Sequence, residues 1–329
     1  MRYIALQHIS LTTGIRLDVV QSVRSRPAAL TNGPARAIPP VALPLRHSWG
    51  NCQLSEAPVP SPPSQASRPK PTMTDLLHAH RIDKRFGGLQ ALADVSLSIR
   101  QGEIYGLIGP NGAGKTTFFD LLTGLGTPDG GEFVFEGRVL PSGHPEKVVA
   151  SGIARSFQNI RLFRELSVRE NVMAGRHLRD RAGVWSVLAH TRSSRKEARR
   201  TSERAHALLC YVGIERFADV LAKNLSYGDQ RRLEIARALA SEPKLLALDE
   251  PAAGMNATET GQLQQLIERI RADGITVLLI EHDVKLVMGL CDRVAVLDFG
   301  RKIAEDVPAV VQRDSVVIEA YLGGGHHGR

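Results

Sequence analysis

An α/β fold built on a parallel sheet is predicted by three features of this 329-residue chain. A mostly apolar run at 103–108 feeds a glycine-rich turn, which a helical stretch at 117–125 follows. Three later runs, at 245–248, 275–280 and 294–297, are apolar almost throughout instead of at alternate positions, the character of strands covered on both faces. A hydrophobic content of 43% is ample for the packed core such a sheet needs.

In chain order, residues 1–72 come first and carry eleven of the eighteen prolines with no sustained period of 2 or 3.6, so they are expected to be a disordered leader. Either the chain is translated from Met73, or the leader is a basic targeting peptide. The leader also holds +6 of the formal +8, which leaves the other 257 residues nearly neutral and removes the basic surface that nucleic acid would select. A regular pattern begins at Met73, and 73–323 is expected to form one domain followed by a tail at 324–329.

Val95, Leu97 and Ile99 alternate with Ser96, Ser98 and Arg100, the period of a half-buried strand, and Gln101-Gly102 turns the chain into the 103–108 strand. Next come Gly109, Pro110, Asn111, Gly112, Ala113, Gly114, Lys115 and Thr116, which fit the P-loop pattern G-x-x-x-x-G-K-[ST]. In that pattern backbone N–H groups cradle phosphates, the lysine reaches the β/γ-phosphates and the hydroxyl sits on Mg²⁺. Thr117 follows in the helix whose N-terminus faces phosphate. Between about 161 and 222 strand signals vanish; Ser193-Ser194 opens a helix, and Ala205, Leu208, Leu209 and Val212 recur at helical spacing until Gly213. This is read as a helical subdomain inserted into the α/β core. Its charged part, 192–204, is either a solvated helix face or a contact for lipid headgroups or a partner subunit.

Asp249 and Glu250 close the 245–248 strand. Asp249 can join Thr116 on magnesium, and Glu250, one residue on, can polarise water for in-line attack on a γ-phosphate. Cys52, Cys210 and Cys291 are far apart and lack metal-ligand spacing, which fits a reduced setting. No run of eighteen apolar residues exists to cross a membrane.

The segment Leu225-Ser226-Tyr227-Gly228-Asp229-Gln230 narrows the function. Placed after the P-loop and just before Asp249-Glu250, it resembles the signature of the ATP-binding cassette (ABC) family. The resemblance implies a P-loop cassette fold with a parallel core sheet, an antiparallel β subdomain and a helical insertion, with ATP and Mg²⁺ as ligands. It also implies that Gln158 is the glutamine touching magnesium and the attacking water, and that His282 is the switch histidine at the γ-phosphate. Phe86 resembles the aromatic that stacks on adenine, core packing being the alternative. Ser226 and Gly228 would close the ATP site of a second cassette in a head-to-tail pair, so two cassettes are expected. Asn256 departs from the acidic residue many cassettes carry there.

Several stretches, among them Glu170-Asn171-Val172-Met173, Arg231-Arg232-Leu233-Glu234 and the ending Val317-Ile318-Glu319-Ala320-Tyr321, are similar to the larger ATPase subunit of bacterial branched-chain amino acid importers. That branch implies a sister or identical ATPase, two membrane permease subunits, a periplasmic solute-binding protein, and a peripheral position on the cytoplasmic face of the inner membrane. Another cargo (urea, amides or a lipid) is the alternative. Translation-type and repair-type members are disfavoured by a single cassette without a long coiled coil.

Overall fold

A computed structural model describes residues 75–158, 160–176 and 192–322. The leader, Met73, Cys52 and the 324–329 tail lie outside the described residues.

Two long strands open the fold, β1 (Asp75–Phe86) and β2 (Leu89–Arg100), paired antiparallel around a left-handed Gly87. After β3 (Ile104–Ile108) and helix α1 (Lys115–Leu122), β4 (Gly130–Phe135) and β5 (Arg138–Val139) return to β1, giving an antiparallel sheet of order β2-β1-β4-β5. Gly131 permits that return: a Cβ there would lie 2.2 Å from the carbonyl oxygens of both His80 and Arg81. Helix α1 is shorter than the expected 117–125. It starts at Lys115 because Gly114 takes the left-handed conformation before it. It stops at Leu122 because the Thr123 hydroxyl donates to the Phe119 carbonyl at 2.7 Å and Gly124 turns left-handed.

The chain continues through α2 (Pro145–Ser151) and β6 (Ile153–Arg155) to a stretch whose described residues form helices and turns, with one isolated antiparallel bridge between Ser167 and Leu221. Here α3 (Val168–Gly175) begins in a Ser167/Glu170 capping box, and α4 (Arg192–Val212) buries Ala205, Leu208, Leu209 and Val212 before ending at left-handed Gly213. Helix α5 (Tyr227–Leu239) packs on both and leads to β7 (Leu245–Asp249). Then follow α6 (Ala257–Ala272), β8 (Thr276–Ile280), α7 (Val284–Leu290), β9 (Arg293–Asp298), β10 (Arg301–Asp306), and the short helices α8 (Pro308–Val311) and α9 (Ser315–Leu322). Asn256 serves the local backbone, since its side chain accepts from Glu259 N–H at 3.0 Å and closes a capping box on α6.

The second sheet has order β10-β9-β3-β8-β7-β6, parallel except for β10. Its strands explain their own composition. Ile104, Leu246, Leu248, Val277, Leu279, Val294 and Val296 face one core, shared with the helices α3 to α7. Tyr105, Leu107, Leu245, Ala247, Leu278, Ile280, Ala295 and Leu297 face the other, shared with α1 and the antiparallel sheet. With both faces covered, no position is left for a polar alternate.

Candidate functional site

Four parallel strands deliver their C-terminal ends to one region: Ile108 of β3, Arg155 of β6, Asp249 of β7 and Ile280 of β8. Ligands of open α/β sheets bind outside this edge.

The loop leaving β3 is wedged between two other elements. A Cβ on Gly109 (φ +151°) would fall 2.1 Å from the Leu297 carbonyl oxygen of β9, and one on Gly114 (φ +97°) would fall 2.6 Å from that of Ala91 in β2. Gly300, in the β9–β10 turn, donates to Ala113 O at 3.1 Å and accepts from Ala93 N–H at 2.8 Å. Within the loop Asn111 and Gly112 are exposed, while Ala113 is buried. Lys115 is buried, and its Nζ donates to the carbonyls of Gly109 (2.7 Å) and Pro110 (2.9 Å). Burial pulls its pKa down, opposed by the charges of Glu250 and Asp249. The Thr116 side chain is exposed and Thr117 half-buried on the first turn of α1.

Asp249 is 2% exposed, and burial pushes its pKa up to about 6 against the pull of Arg155, 3.5 Å away. Arg155 is not singled out by the sequence, where it figures only as a neighbour of Gln158. Its guanidinium lies over the rings of Phe119 (4.5 Å) and Phe157 (4.7 Å) and donates to Asp120 Oδ1 (2.7 Å) and Thr123 Oγ1 (2.8 Å). A lone arginine at the end of a short apolar run, with the Asp249 carboxylate elsewhere in the chain needing a counter-charge, is the signal that could have found it.

Gln158, Glu250 and His282 come together. Glu250 is held at φ +46°, a conformation side-chain-bearing residues avoid, by its N–H donating to Ile280 O at 2.9 Å. Gln158 Nε2 donates to Glu250 Oε2 at 2.9 Å, and His282 Nδ1 lies 3.8 Å from the same oxygen. Glu281, equally silent in the sequence, is fully buried and accepts from the N–H groups of Ala252 (2.9 Å) and His282 (3.3 Å). It thereby joins the loop after Glu250 to the histidine strand end, and burial raises its pKa.

Phe86 belongs to neither core and is 56% exposed, with Lys84 Nζ 5.5 Å from its ring centre. Ser226 is the N-cap of α5: Oγ accepts from Asp229 N–H at 3.2 Å and donates to Asp229 Oδ2 at 2.7 Å. With Gly228, Asp229, Arg232 and Glu259 it lines a cleft of about 260 Å³. Among the described residues, neither Ser226 nor Gly228 shares a hydrogen bond with 109–117.

Thr116, Asp249 and Gln158 carry hydroxyl, carboxylate and amide oxygens, the hard set magnesium takes. A desolvated Asp249 whose charge is only partly met by Arg155 fits a cation beside it.

Residues 92–253 match the ABC transporter family, and 301–327 match the branched-chain amino acid ATP-binding cassette transporter family. The chain is 45% identical over 249 residues to the "High-affinity branched-chain amino acid transport ATP-binding protein LivG" of Salmonella typhimurium, covering 75% of this chain and 98% of that protein. The corresponding protein BraF of Pseudomonas aeruginosa is 41% identical over the same shares. The lipopolysaccharide export system ATP-binding protein LptB of Escherichia coli is 34% identical, over 75% of this chain and 97% of its own length. Among solved structures, a nucleotide-free ATP-binding cassette from an ABC transporter superposes with a TM-score of 0.67 at 31% identity, over 75% of this chain and 99% of that one. The ADP conformation of the cassette MJ1267 gives 0.66 at 30% identity, over 76% and 99%.

Proposed function

Because this chain belongs to the ATP-binding cassette family of ABC transporters, we propose that it is the ATP-hydrolysing subunit of a branched-chain amino acid importer, acting on separate membrane permease subunits. The observation that carries the cargo is the match of 301–327 to the branched-chain family, in a segment beyond the general cassette match. Among the described residues no helix is long and apolar enough to cross a membrane, and the subunit would sit peripherally on its permeases at the cytoplasmic face of the inner membrane. The assembly would hold a second cassette, identical or a sister, two permeases and a periplasmic solute-binding protein; nucleic acid has no place in it.

The residues take these roles. Phe86 offers an exposed ring to adenine, and the Gly109–Thr117 backbone turns its N–H groups to the phosphates. Lys115 exchanges two carbonyl partners for phosphate oxygens, a stronger pairing because both members are charged. Thr116, Gln158 and Asp249 would hold Mg²⁺, which supplies charge neutralisation of the transferring group. Glu250 polarises the attacking water; the Gln158 amide donates to one of its oxygens, with His282 3.8 Å from the same atom, and the other oxygen can accept from the water. Ser226 and Gly228 direct their donors at ATP held by the partner cassette.

Transport itself tests this reading. The chain co-purified with its membrane subunits and placed in vesicles is expected to drive ATP-dependent uptake of leucine, isoleucine and valine when the solute-binding protein is added. Movement of urea, an amide or a lipid in their place would overturn the cargo and leave the ATPase standing.

A further inference from the structure

Phe86 ends β1 at its hairpin with β2, and the ladder alone does not fix that end of the pair, because the register slips between Ile82 and Lys84 and again between Lys84 and Arg85. The turn before β4 supplies the hold. Asp129 Oδ2 accepts from the Arg85 N–H at 2.7 Å and Oδ1 accepts from Lys84 Nζ at 2.9 Å, while Nζ also donates to the Thr127 carbonyl at 2.7 Å. The Asp129 N–H donates to the Asp83 carbonyl at 2.9 Å. The Lys84 and Arg85 donors keep the Asp129 carboxyl below the ordinary carboxylate range, so it stays charged at neutral pH.

A brace between the hairpin and β4 needs no more than the Arg85 bond. The lysine does something further. Its side chain is only 17% exposed, and its ammonium sits over the Phe86 ring, 5.5 Å from the centre, where a solvated lysine would extend into water. The ring itself is exposed and belongs to neither core. One of its faces is thus closed by a cation held at Asp129 and Thr127, and a flat base can take only the other. A cation on one face also draws ring electron density toward itself, which lessens the repulsion a purine meets on the opposite face. We propose that Lys84 and Asp129 are positioning residues for base recognition: Asp129 fixes the Lys84 ammonium and the Arg85 main chain, and Lys84 backs the Phe86 ring so that a purine stacks on its open face. This rests on the reading of Phe86 as the ring offered to adenine.

The experiment uses the full chain assembled with its partner subunits and measures kcat and KM for ATP hydrolysis, the inhibition constant of inorganic tripolyphosphate, and the melting temperature. Lys84→Met keeps the apolar stem and removes the charge. It is expected to raise KM for ATP about threefold to tenfold, the range a cation–ring contact between exposed and desolvated converts to. Both kcat and the tripolyphosphate constant should stay within about twofold, as for a loss confined to binding of the base. Lys84→Arg, whose guanidinium can take the same face, should restore most of the loss. Asp129→Ala, which frees the lysine and the Arg85 main chain together, should raise KM at least as much as Lys84→Met. In a Phe86→Leu background, Lys84→Met should have no additional effect. Equal weakening of ATP and tripolyphosphate would overturn the proposal, as would independent, multiplying losses from Lys84→Met and Phe86→Leu, or a Lys84→Met protein that melts lower but keeps its KM. Should Asp129→Ala fail to fold, the Lys84 and Phe86 double-mutant cycle decides alone. Phe86→Leu by itself keeps the two ideas apart: an unchanged KM there would remove the adenine-stacking reading and the proposal with it, whereas a raised KM with an additive cycle would remove only the positioning role.

Discussion

Asp249→Asn is expected to make the metal-free protein more stable at pH 8 while abolishing its chemistry. Asp249 is buried at the end of β7, and its pKa stands at about 6 against an ordinary 3.8. At 1.36 kcal/mol per pKa unit this interval corresponds to about 3 kcal/mol. The sign follows from linkage: a carboxylate whose folded pKa is raised favours folding below its unfolded value, and that contribution is lost as pH rises through about 6. At pH 8 both folded and unfolded chains carry the charge, so the whole cost is expressed; an asparagine, neutral and of the same shape, escapes it. Arg155 retains Asp120 at 2.7 Å and Thr123 at 2.8 Å and is not orphaned by the change. Urea unfolding in chelator, at pH 8 and at pH 5, reads the effect: a gain of up to about 3 kcal/mol at pH 8 that shrinks toward pH 5. An asparagine variant no more stable than the parent at pH 8, or a gain of equal size at both pH values, would refute the reasoning.

Other expectations follow from the same site. Gly109→Ala forces a Cβ to within 2.1 Å of the Leu297 carbonyl at a φ of +151°; it should cost about 2 kcal/mol or more and weaken nucleotide binding, read by melting and by fluorescent-nucleotide titration. A Gly109→Ala protein binding normally would show that the loop is not held as described. Glu250→Gln should bind Mg-ATP with near-normal affinity but lose about 10²-fold or more in turnover, the scale of a lost general base. A chain beginning at Met73 should melt within a few degrees of the full chain and bind ATP equally, since the 249 residues shared with LivG cover 98% of that protein; a large drop would make residues 1–72 part of the domain.

Much of the candidate site's layout was legible because its residues are contiguous along the chain. The P-loop and Asp249-Glu250 each occupy a strand end and the turn after it, so spacing along the chain is also spacing in space. The parallel strands were legible because two covered faces demand unbroken apolar runs. Strand β1 was not, since its register shifts between Ala79 and Ile82, Ile82 and Lys84, and Lys84 and Arg85, which breaks the period of 2 that β2 keeps from Val95 to Ile99. Arg155 and Glu281 were hidden for a related reason. Each acts on a residue brought near by the fold (Asp249 and Ala252), and nothing in the local sequence distinguishes them from ordinary charged residues. The ends of α1 were missed because Gly114 and Thr123 set them through backbone geometry and a side-chain bond, not through apolar spacing.

The central claim is that this chain contributes to two ATP sites, its own through Lys115 and a partner's through Ser226. The most direct measurement is nucleotide trapping in the assembled transporter, with the two cassettes labelled so that each site can be identified. Lys115→Ala should empty the site on this chain's own P-loop. Ser226→Arg, which removes an N-cap worth about 1 kcal/mol and leaves the cassette folded, should empty the site on the partner's P-loop. Both substitutions emptying one and the same site would contradict the head-to-tail pairing and the account built on it.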